Sequence, residues 1–452
     1  MNIDTNPIPD NRGRTLISDR RPSDSISYNQ EQVCILEAFY PNNRAYNFQA
    51  TIDIYGALDI GTLEDAVSYV VARHEMLRTS IVLGDKGFLS VVHDPFRFQI
   101  PVHDLTQMSE AEQQAAMAQV FYRSTDRVFD IAKLPLFAIQ AIKLSSSRWV
   151  LIQVEHHVVH DGWSFGKLWN EIQSAYNCYW SNVNPNIQDI PAQYRQFVTW
   201  QRERMEGDYG ESALTFWSNY LNGVNVNIGI GHHDSQNMFL QGKNFELAIS
   251  QKTFAALSDT ARRMAVSEFI VMFSVFAKLL ATKSRAHDFT IGTAVNARTE
   301  RQIEPIIGMI VNTVPVRVRV KDAEPFEALC RETQTSLFKT LRYQDVPLSL
   351  IVRRLGLGQK RGYNPIFQHC FSFHDADVPS LEFGDTRGQI TEAQNQASKF
   401  DINVVVIPPS KRRGTNDARM FWQFSSEAFL GDEGPQLAGD YIQLLHDVLM
   451  RD

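Results

Sequence analysis

The residues best suited to chemistry in this sequence lie between Val154 and Phe165, which read VEHHVVHDGWSF. The preceding run at 148–154, RWVLIQV, predicts a strand buried on both faces. The histidines therefore stand at the exit of a strand, where a substrate can reach a side chain. Histidine exchanges a proton near neutrality because its unperturbed pKa is about 6.5. Asp161 is suited to orient an imidazole or to anchor the loop, and Gly162 would permit a turn that a side chain forbids. The segment indicates a general-base loop.

Other interpretations of this loop stay open on the residues alone. His156, His157 and His160 with Asp161 are ligand types that zinc accepts, yet adjacent histidines of a strand point to opposite faces and do not easily chelate one ion. A serine–histidine–aspartate triad would need a nucleophile on a strained turn, and the sequence has no G-x-S-x-G. A pair of histidines satisfied in the core is the structural alternative, and the loop by itself does not exclude it.

Hydrophobic periodicity predicts the elements that must hold this loop. Between Gly61 and His74 apolar residues recur at three- and four-residue spacing, which predicts a helix capped by Thr62 and Asp65. The alternation in Phe48–Tyr55 predicts a half-buried strand before it. The other predicted helices cover Gln193–Met205, Ser267–Leu280 and Phe326–Leu341, and the other predicted strands cover Asp288–Thr293 and Thr313–Val320.

The order of strand, helix and strands recurs in both halves of the chain and predicts two α/β lobes of similar build. The 452 residues fit two or three domains at roughly 100–200 residues each. Hydrophobic residues make up 44% and charged residues 21%, which is the composition of a globular protein. The polar stretch Asn182–Pro191 is the predicted connection between the lobes.

Charge and cysteine spacing exclude several classes of protein. The net charge of −7 and the lack of a Lys/Arg block argue against a nucleic-acid surface. No apolar run approaches the roughly 18 residues of a membrane span, and residues 1–24 resemble a flexible lead-in rather than a signal peptide. The cysteines are far apart, as in a reduced cytoplasmic chain, at Cys34, Cys178, Cys330 and Cys370.

HHVVHDG resembles the HHxxxDG motif of the condensation domains of nonribosomal peptide synthetases, in the superfamily of chloramphenicol acetyltransferase. Segments similar to the family's other motifs follow one another in the right order, so the resemblance is far more specific than HHxxxDG alone. It covers nearly everything after the lead-in. The similar segments are SYNQEQ (27–32), RHEMLRT (73–79), FDIAKLPLF (129–137), VNARTE with IIGMIVNTVPVR (295–317), YQDVPLSLIV (343–352), NPIFQHCFSF (364–373) and SKFDINV (398–404).

The resemblance implies an α/β fold of two chloramphenicol-acetyltransferase-like lobes. They would form a V-shaped pseudo-dimer with the active site in a channel between them. Residues 25–185 would be the N-terminal lobe, which carries HHxxxDG, and residues 186–452 the C-terminal lobe, after the lead-in of residues 1–24.

The resemblance also assigns roles to the loop. His157, the second histidine, would be the catalytic residue, either as a general base or as a group that positions the reactants and stabilises charge. His156 would shape the loop, and Asp161 would form an ion pair with Arg298 that ties the lobes together. Gly162 would leave space open beside His157 and turn its amide to the developing oxyanion.

Further candidates and two departures from the family pattern complete the predicted site. Trp163, Ser164 and Asn312 are candidates for the pocket, and for Asn312 a strand-end hydrogen bond is an equal alternative. Gln196 stands where the family has the carboxylate of a Tyr-x-Asp-Phe motif, and Ala297 stands where a glycine usually precedes the arginine. The heterocyclising branch carries DxxxxD in place of HHxxxDG, so heterocyclisation is not expected.

The implied reaction moves an acyl group from a phosphopantetheine thioester on a carrier protein to an amine or hydroxyl, forming an amide or ester in natural-product biosynthesis. The chain has no GG-x-S carrier motif, so an acyl or peptidyl carrier protein would act in trans. The acceptor would be a small molecule or carrier-bound. We expect a free-standing monomer that binds no cofactor, metal, nucleic acid or membrane. The alternatives are a coenzyme-A-dependent acyltransferase of the same superfamily and a non-catalytic member that docks carriers or recruits a tailoring enzyme.

Overall fold

A computed structural model describes residue 17 and residues 23–232, 241–357, 364–374, 380–393, 397–409 and 417–450. Within these ranges the strands form two six-stranded sheets and one hairpin. The helices are α1 (Tyr28–Phe39), α2 (Ile60–Arg73), α3 (Glu110–Thr125), α4 (Gly162–Trp180), α5 (Tyr194–Glu206), α6 (Asp208–Tyr220), α7 (Gln251–Met264), α8 (Glu268–Ser284), α9 (Phe326–Leu341), α10 (Leu348–Arg354) and α11 (Glu433–Leu449). The strands are β1 (Asn47–Tyr55), β2 (Thr79–Gly84), β3 (Gly87–Val92), β4 (Val102–Asp104), β5 (Phe137–Ser145), β6 (Arg148–His156), β7 (Gly242–Ile249), β8 (Asp288–Val295), β9 (Asn312–Arg319), β10 (His369–Phe373), β11 (Leu381–Phe383), β12 (Thr386–Ala393), β13 (Ile402–Ile407) and β14 (Ala418–Ser425).

The first sheet has the order β11-β12-β1-β6-β5-β4 and carries the histidine motif. Strands β1 and β6 pair in antiparallel fashion near its centre, with Asn47 opposite His156. Every residue of β6 after Arg148 is buried, as its continuous apolar run predicts. Helices α2 and α4 pack on this sheet and on each other. The last residue of β6 therefore lies at the end of a central strand that is paired on both sides.

The second sheet has the order β7-β14-β13-β10-β8-β9, with β10 parallel to both β8 and β13. Helices α8 and α11 cover it, and their contact buries large aromatic side chains, among them Phe276, Trp422 and Tyr441. Burial of this kind contributes about 1.5–3 kcal/mol for each large apolar side chain.

The first sheet contains strands from both sides of the predicted lobe boundary. Strands β11 and β12 come from beyond residue 186, and β12 pairs with β1 over Gln49–Tyr55. The division at residues 185 and 186 stays a prediction, and the chain on its C-terminal side contributes two strands to the sheet on its N-terminal side. The region 181–193, which includes the predicted connection, contains no helix or strand.

The predicted helices and strands are confirmed, with ends that differ by no more than four residues, but the cap of α2 is wrong. The helix begins at Ile60, and the carboxylate of Asp59 accepts the amide of Thr62 at 2.6 Å. Thr62 and Asp65 lie inside the helix rather than at its end. An aspartate just outside the first turn is well placed to satisfy an otherwise unpaired helix amide.

The predicted flexible lead-in, residues 1–24, lies outside the described residues except for Ile17, Ser23 and Asp24. Ile17 is buried and its amide donates to Gln302 Oε1 at 2.7 Å. Arg195 Nε donates to the carbonyl of Ser23 at 3.0 Å. These described positions contact the rest of the protein, and the flexibility of residues 1–24 stays a prediction.

No single described helix has the length and apolar composition to cross a membrane. The pair formed by α7 and α8 passes that criterion only when the two helices are taken together, and they are bent by 95° at their junction. The apolar residues of α8 are buried in the core of the second sheet, which explains its composition.

Candidate active site

The histidine loop joins β6 to α4 through one short turn. Strand β6 ends at His156, a single 3₁₀ turn covers His157–Val159, and α4 begins at Gly162. The amide of His157 donates to the carbonyl of Tyr46 at 2.8 Å, and the side-chain amide of Gln30 donates to the carbonyl of Val158 at 2.7 Å. The loop is thus fixed from both sides by hydrogen bonds to its backbone.

Both ring nitrogens of His156 are engaged. Its Nδ1 accepts the amide of Val158 at 3.3 Å, so the proton of the neutral ring lies on Nε2. That nitrogen donates to Glu37 Oε1 at 3.1 Å, and the ring meets Phe129 edge-on. His156 is buried, with 2% of its surface exposed. Its contacts fit the predicted loop-shaping role.

His157 has the opposite tautomer. Its Nδ1 lies 3.1 Å from the carbonyl oxygen of His160, and a carbonyl only accepts, so the proton lies on Nδ1. In the neutral ring Nε2 therefore carries a free lone pair. Burial, followed by the electrostatic effects of Lys399 and His160, lowers the pKa of His157 well below its ordinary value. The imidazole is consequently neutral at pH 7.

Asp161 and Arg298 form the predicted ion pair, and both side chains are fully buried. Asp161 Oδ2 accepts Arg298 Nη1 at 2.8 Å and the amides of Ile310 and Val311, each at 2.9 Å. Its Oδ1 accepts Arg298 Nη2 at 3.1 Å and Ser164 Oγ at 2.7 Å. Burial alone would raise the pKa of Asp161, but the guanidinium holds it well below its usual range.

This ion pair connects elements of the two sheets. Asp161 caps α4, which packs on the first sheet, while Arg298 follows β8 of the second. The carboxylate faces Arg298, and the His157 ring is held instead by the carbonyl of His160, so Asp161 anchors the loop rather than orienting that imidazole. Ala297 has a φ of 55°, in the left-handed region. That conformation explains why a glycine suits this position.

Gly162 differs from the sequence-based expectation in one respect. It is the first residue of α4 and its φ is outside the left-handed region, so the turn does not require a glycine. A Cβ at this position would meet nothing within 4 Å, so Gly162 borders open space, as expected. The amides of Gly162 and Trp163 lie in the first turn of α4, where a helix offers no internal acceptor and carries partial positive charge.

Of the remaining predicted residues, one is exposed, and the others form hydrogen bonds within the protein. Trp163 is 37% exposed and is available to a ligand. Ser164 is fully buried in the Asp161–Arg298 network, so its assignment to a pocket is wrong. Asn312 donates to the carbonyls of Gln344 and Val346 at 2.9 and 2.6 Å, which supports the strand-end alternative. Gln196 Oε1 accepts the amide of Gln193 at 2.8 Å and caps α5.

Sequence reasoning missed the hydrogen bonds and the ring packing of Tyr194. Its hydroxyl donates to the carbonyl of Met309 at 2.8 Å and lies 2.9 Å from Ser27 Oγ. A Cβ on Gly308 would lie 2.1 Å from Tyr194 Cδ2, so only glycine lets the ring pack there. Two sequence features could have indicated these contacts: the motif that contains Ser27, and the aromatic face of the predicted Gln193–Met205 helix.

Sequence reasoning considered His160 only as a possible zinc ligand, and it missed three further side chains nearby, those of Glu155, Tyr46 and Lys399. His160 Nδ1 lies 2.9 Å from Glu155 Oε1, and both side chains are fully buried. The ring of Tyr46 meets that of His157 edge-on, with centroids 6.4 Å apart. Lys399 Nζ lies 4.7 Å from the centroid of Tyr46. Among the described residues no group of three or more His, Cys, Asp or Glu side chains is arranged to hold a metal ion.

Comparison with known proteins identifies the family. A family model described as Condensation domain matches residues 24–450, so this chain belongs to the condensation-domain family. It is 24% identical over 426 residues to one protein of the linear gramicidin synthase of Brevibacillus parabrevis, covering 93% of this chain and 5% of that protein. It is 23% identical over 428 residues to bacitracin synthase 3 of Bacillus licheniformis, covering 94% and 6%. The chain thus spans a small part of the length of these relatives.

Solved structures of the family have the same fold. The starter condensation domain of the rhizomide synthetase RzmA, in complex with C8-CoA, matches with a TM-score of 0.83 at 19% identity, covering 95% of each chain. The X-domain from teicoplanin biosynthesis matches with a TM-score of 0.82 at 19% identity, covering 95% of this chain and 96% of that one. The expected chloramphenicol-acetyltransferase-like α/β fold is therefore confirmed.

Proposed function

We propose that this chain transfers an acyl group from a phosphopantetheine thioester on a carrier protein to an amine or hydroxyl acceptor, with His157 as the catalytic residue. Membership of the condensation-domain family supports the reaction class. The observation that carries the assignment of His157 is its free Nε2, on an imidazole whose other nitrogen donates to the carbonyl of His160. The carrier protein would come in trans, and the chain would act as a monomer.

In the proposed reaction an acceptor nitrogen attacks the thioester carbonyl carbon. A C–N bond forms, the carbonyl electrons move to oxygen, and the nitrogen becomes acidic as it gains positive charge. His157 Nε2 accepts that proton, the carbonyl re-forms as the C–S bond breaks, and the proton passes to the departing thiolate. The products are an amide and the free phosphopantetheine thiol. A hydroxyl acceptor gives an ester by the same sequence.

The start of α4 suits the transient negative charge on oxygen. The Gly162 and Trp163 amides lie at the positive end of the helix, and the space in front of Gly162 is open. Asp161 holds this end of α4 through its bonds to the amide and hydroxyl of Ser164, at 2.8 and 2.7 Å. The same carboxylate is neutralised by Arg298, so it does not oppose the oxyanion with a free negative charge.

Two alternatives have an observation in their favour. A solved relative binds C8-CoA, which favours a coenzyme-A thioester as donor. Another solved structure is a complex of the X-domain and OxyB from teicoplanin biosynthesis, which favours a recruiting role. Against recruitment alone, His157 is present with its ring held by the carbonyl of His160, and Asp161 and Arg298 form their ion pair.

The test compares donors. A set of acyl groups is loaded either on a carrier protein or on coenzyme A, and each is incubated with amine and hydroxyl acceptors and the full chain. We expect product from carrier-bound donors and a loss of about 10²–10⁴-fold in the His157→Asn variant. Equal or better turnover with coenzyme A would favour the second donor. Binding of loaded carriers without any product would favour recruitment.

A further inference from the structure

Lys399 belongs to the SKFDINV segment, to which the proposed reaction gives no role. Its Nζ lies 4.7 Å from the centroid of Tyr46, in cation–π contact. The Tyr46 ring in turn meets the His157 ring edge-on, with an interplanar angle of 77°. The ring of Tyr46 therefore contacts both the ammonium of Lys399 and the candidate catalytic imidazole.

Within the part of the chain that the structure describes, no carboxylate forms an ion pair with Lys399. Burial lowers its pKa to about 8, and the Cys370 thiol of β10 acts weakly in the opposite direction. That thiol is itself buried, and burial raises its pKa to about 12, so it is neutral at pH 7. Lys399 is then a cation with no counter-ion among the residues that the structure describes.

The other charged groups around His157 have partners of their own. Asp161 is neutralised by Arg298 in a fully buried ion pair. His160 lies against Glu155 at 2.9 Å. Glu37, which faces Tyr46, accepts from the ring of His156. Lys399 is thus the charge near His157 that has no counter-ion among the described groups.

We propose that Lys399 is a positioning residue for the reaction: its ammonium, held against Tyr46, repels a second proton from His157 and so keeps the Nε2 lone pair free. A like charge nearby disfavours the protonated imidazole. The backbone carbonyl of His160 fixes which nitrogen carries the single proton, and Lys399 opposes the addition of another. This inference about Lys399 rests on the proposed function of His157, but the titration that tests it needs no substrate.

The test is an NMR titration of the full chain labelled with ¹³C at histidine Cε1, in which the His157 signal is assigned by its loss in His157→Asn. In the wild type we expect a midpoint below the ordinary value of about 6.5. Lys399→Met should raise that midpoint by about one pH unit. Lys399→Arg keeps the positive charge and should leave the midpoint unchanged.

The matched control removes a remote charge. Lys252→Met, at an exposed position of α7, should leave the His157 midpoint where it is in the wild type. An unchanged midpoint in Lys399→Met would overturn the inference, as would equal shifts in the Met and Arg variants, because packing rather than charge would then be responsible. If Lys399→Met does not fold, a Lys399→Gln variant gives the same comparison.

Activity supplies a separate readout. The acid limb of the kcat/KM profile should move to higher pH in Lys399→Met, since the active form is the neutral imidazole. Turnover well above the midpoint should change much less. A chain that lacks condensation activity while the His157 midpoint still responds to Lys399→Met would refute the proposed function and leave the electrostatic role of Lys399 standing.

Discussion

His156 and His157 are adjacent in the chain, and their surroundings give them opposite chemistry. His156 accepts a backbone amide on Nδ1 and donates to Glu37 from Nε2, which leaves it no free nitrogen. His157 donates from Nδ1 to a backbone carbonyl and keeps a lone pair on Nε2. His156 is the last residue of β6 and is buried, whereas His157 begins the following 3₁₀ turn and is only partly buried.

The comparison shows that a backbone group, and not a carboxylate, fixes the tautomer of the candidate catalytic histidine. Asp161 would be the obvious orienting group from its position in the motif, yet its two oxygens accept from Arg298, Ser164 and two backbone amides. The carboxylate does not contact the imidazole and instead caps the start of α4. We therefore expect substitution of His157 to reduce activity, and substitution of His156 or of the Asp161–Arg298 ion pair to reduce stability.

The largest expected effect separates the two histidines by activity. His157→Asn should reduce kcat by about 10²–10⁴-fold and leave the melting temperature close to that of the wild type. His156→Asn should retain far more activity per folded molecule. Steady-state kinetics on the folded fraction measures both. Equal activity losses in the two variants would contradict the division of roles.

Breaking the Asp161–Arg298 ion pair should have the largest effect on the free energy of unfolding among these variants. Arg298→Met leaves the Asp161 carboxylate buried without its partner and should lower the free energy of unfolding by about 3–5 kcal/mol. Arg331→Met is the matched control, because its pair with Glu327 is exposed on α9 and contributes roughly 0.3–0.5 kcal/mol. Urea denaturation compares the two variants. A cost for Arg298→Met no greater than that of the control would remove the proposed anchor.

His156 should affect folding rather than chemistry. His156→Ala removes the donor to the Glu37 carboxylate, which is only 12% exposed, and should cost about 1–3 kcal/mol. Glu37→Gln keeps an acceptor opposite the ring and should cost less. Thermal unfolding of both variants tests this order, and the reverse order would show that the ring contributes through packing alone.

The smallest expected effect is a pH dependence of stability that belongs to His157. Its folded pKa lies below the unfolded value, so the unfolded chain binds more protons and stability rises with pH up to about 6.5. Above that value the contribution is constant. Between pH 5 and pH 7 the stability of the wild type should therefore rise more than that of His157→Asn, as urea denaturation at a series of pH values would measure. Parallel pH profiles of the two proteins would contradict the lowered pKa.

The sequence predicted the local elements well because each depends on its own periodicity. The strand before the histidines, the helix over Phe326–Leu341 and the aromatic face of α5 are confirmed. The Asp161–Arg298 pair was reached through the family resemblance, since 137 residues separate its members and no local pattern joins them.

What the sequence could not predict depends on contacts between distant segments. The pairing of β12 with β1 joins residues more than 300 positions apart and carries no signal in either strand alone. The tautomers of His156 and His157 depend on Glu37 and on one carbonyl, and Gly162 proved to need no special backbone conformation. Lys399 meets the ring of Tyr46 from a segment more than 350 residues away along the chain, and no local pattern indicates that contact.

The contrast between the two histidines can be read in a single experiment. A long-range ¹H–¹⁵N correlation spectrum of the full chain at pH 7, assigned with His156→Asn and His157→Asn, reports which ring nitrogen carries the proton. We expect a neutral His157 protonated on Nδ1 and a His156 protonated on Nε2. A His157 that is doubly protonated, or protonated on Nε2, would contradict it.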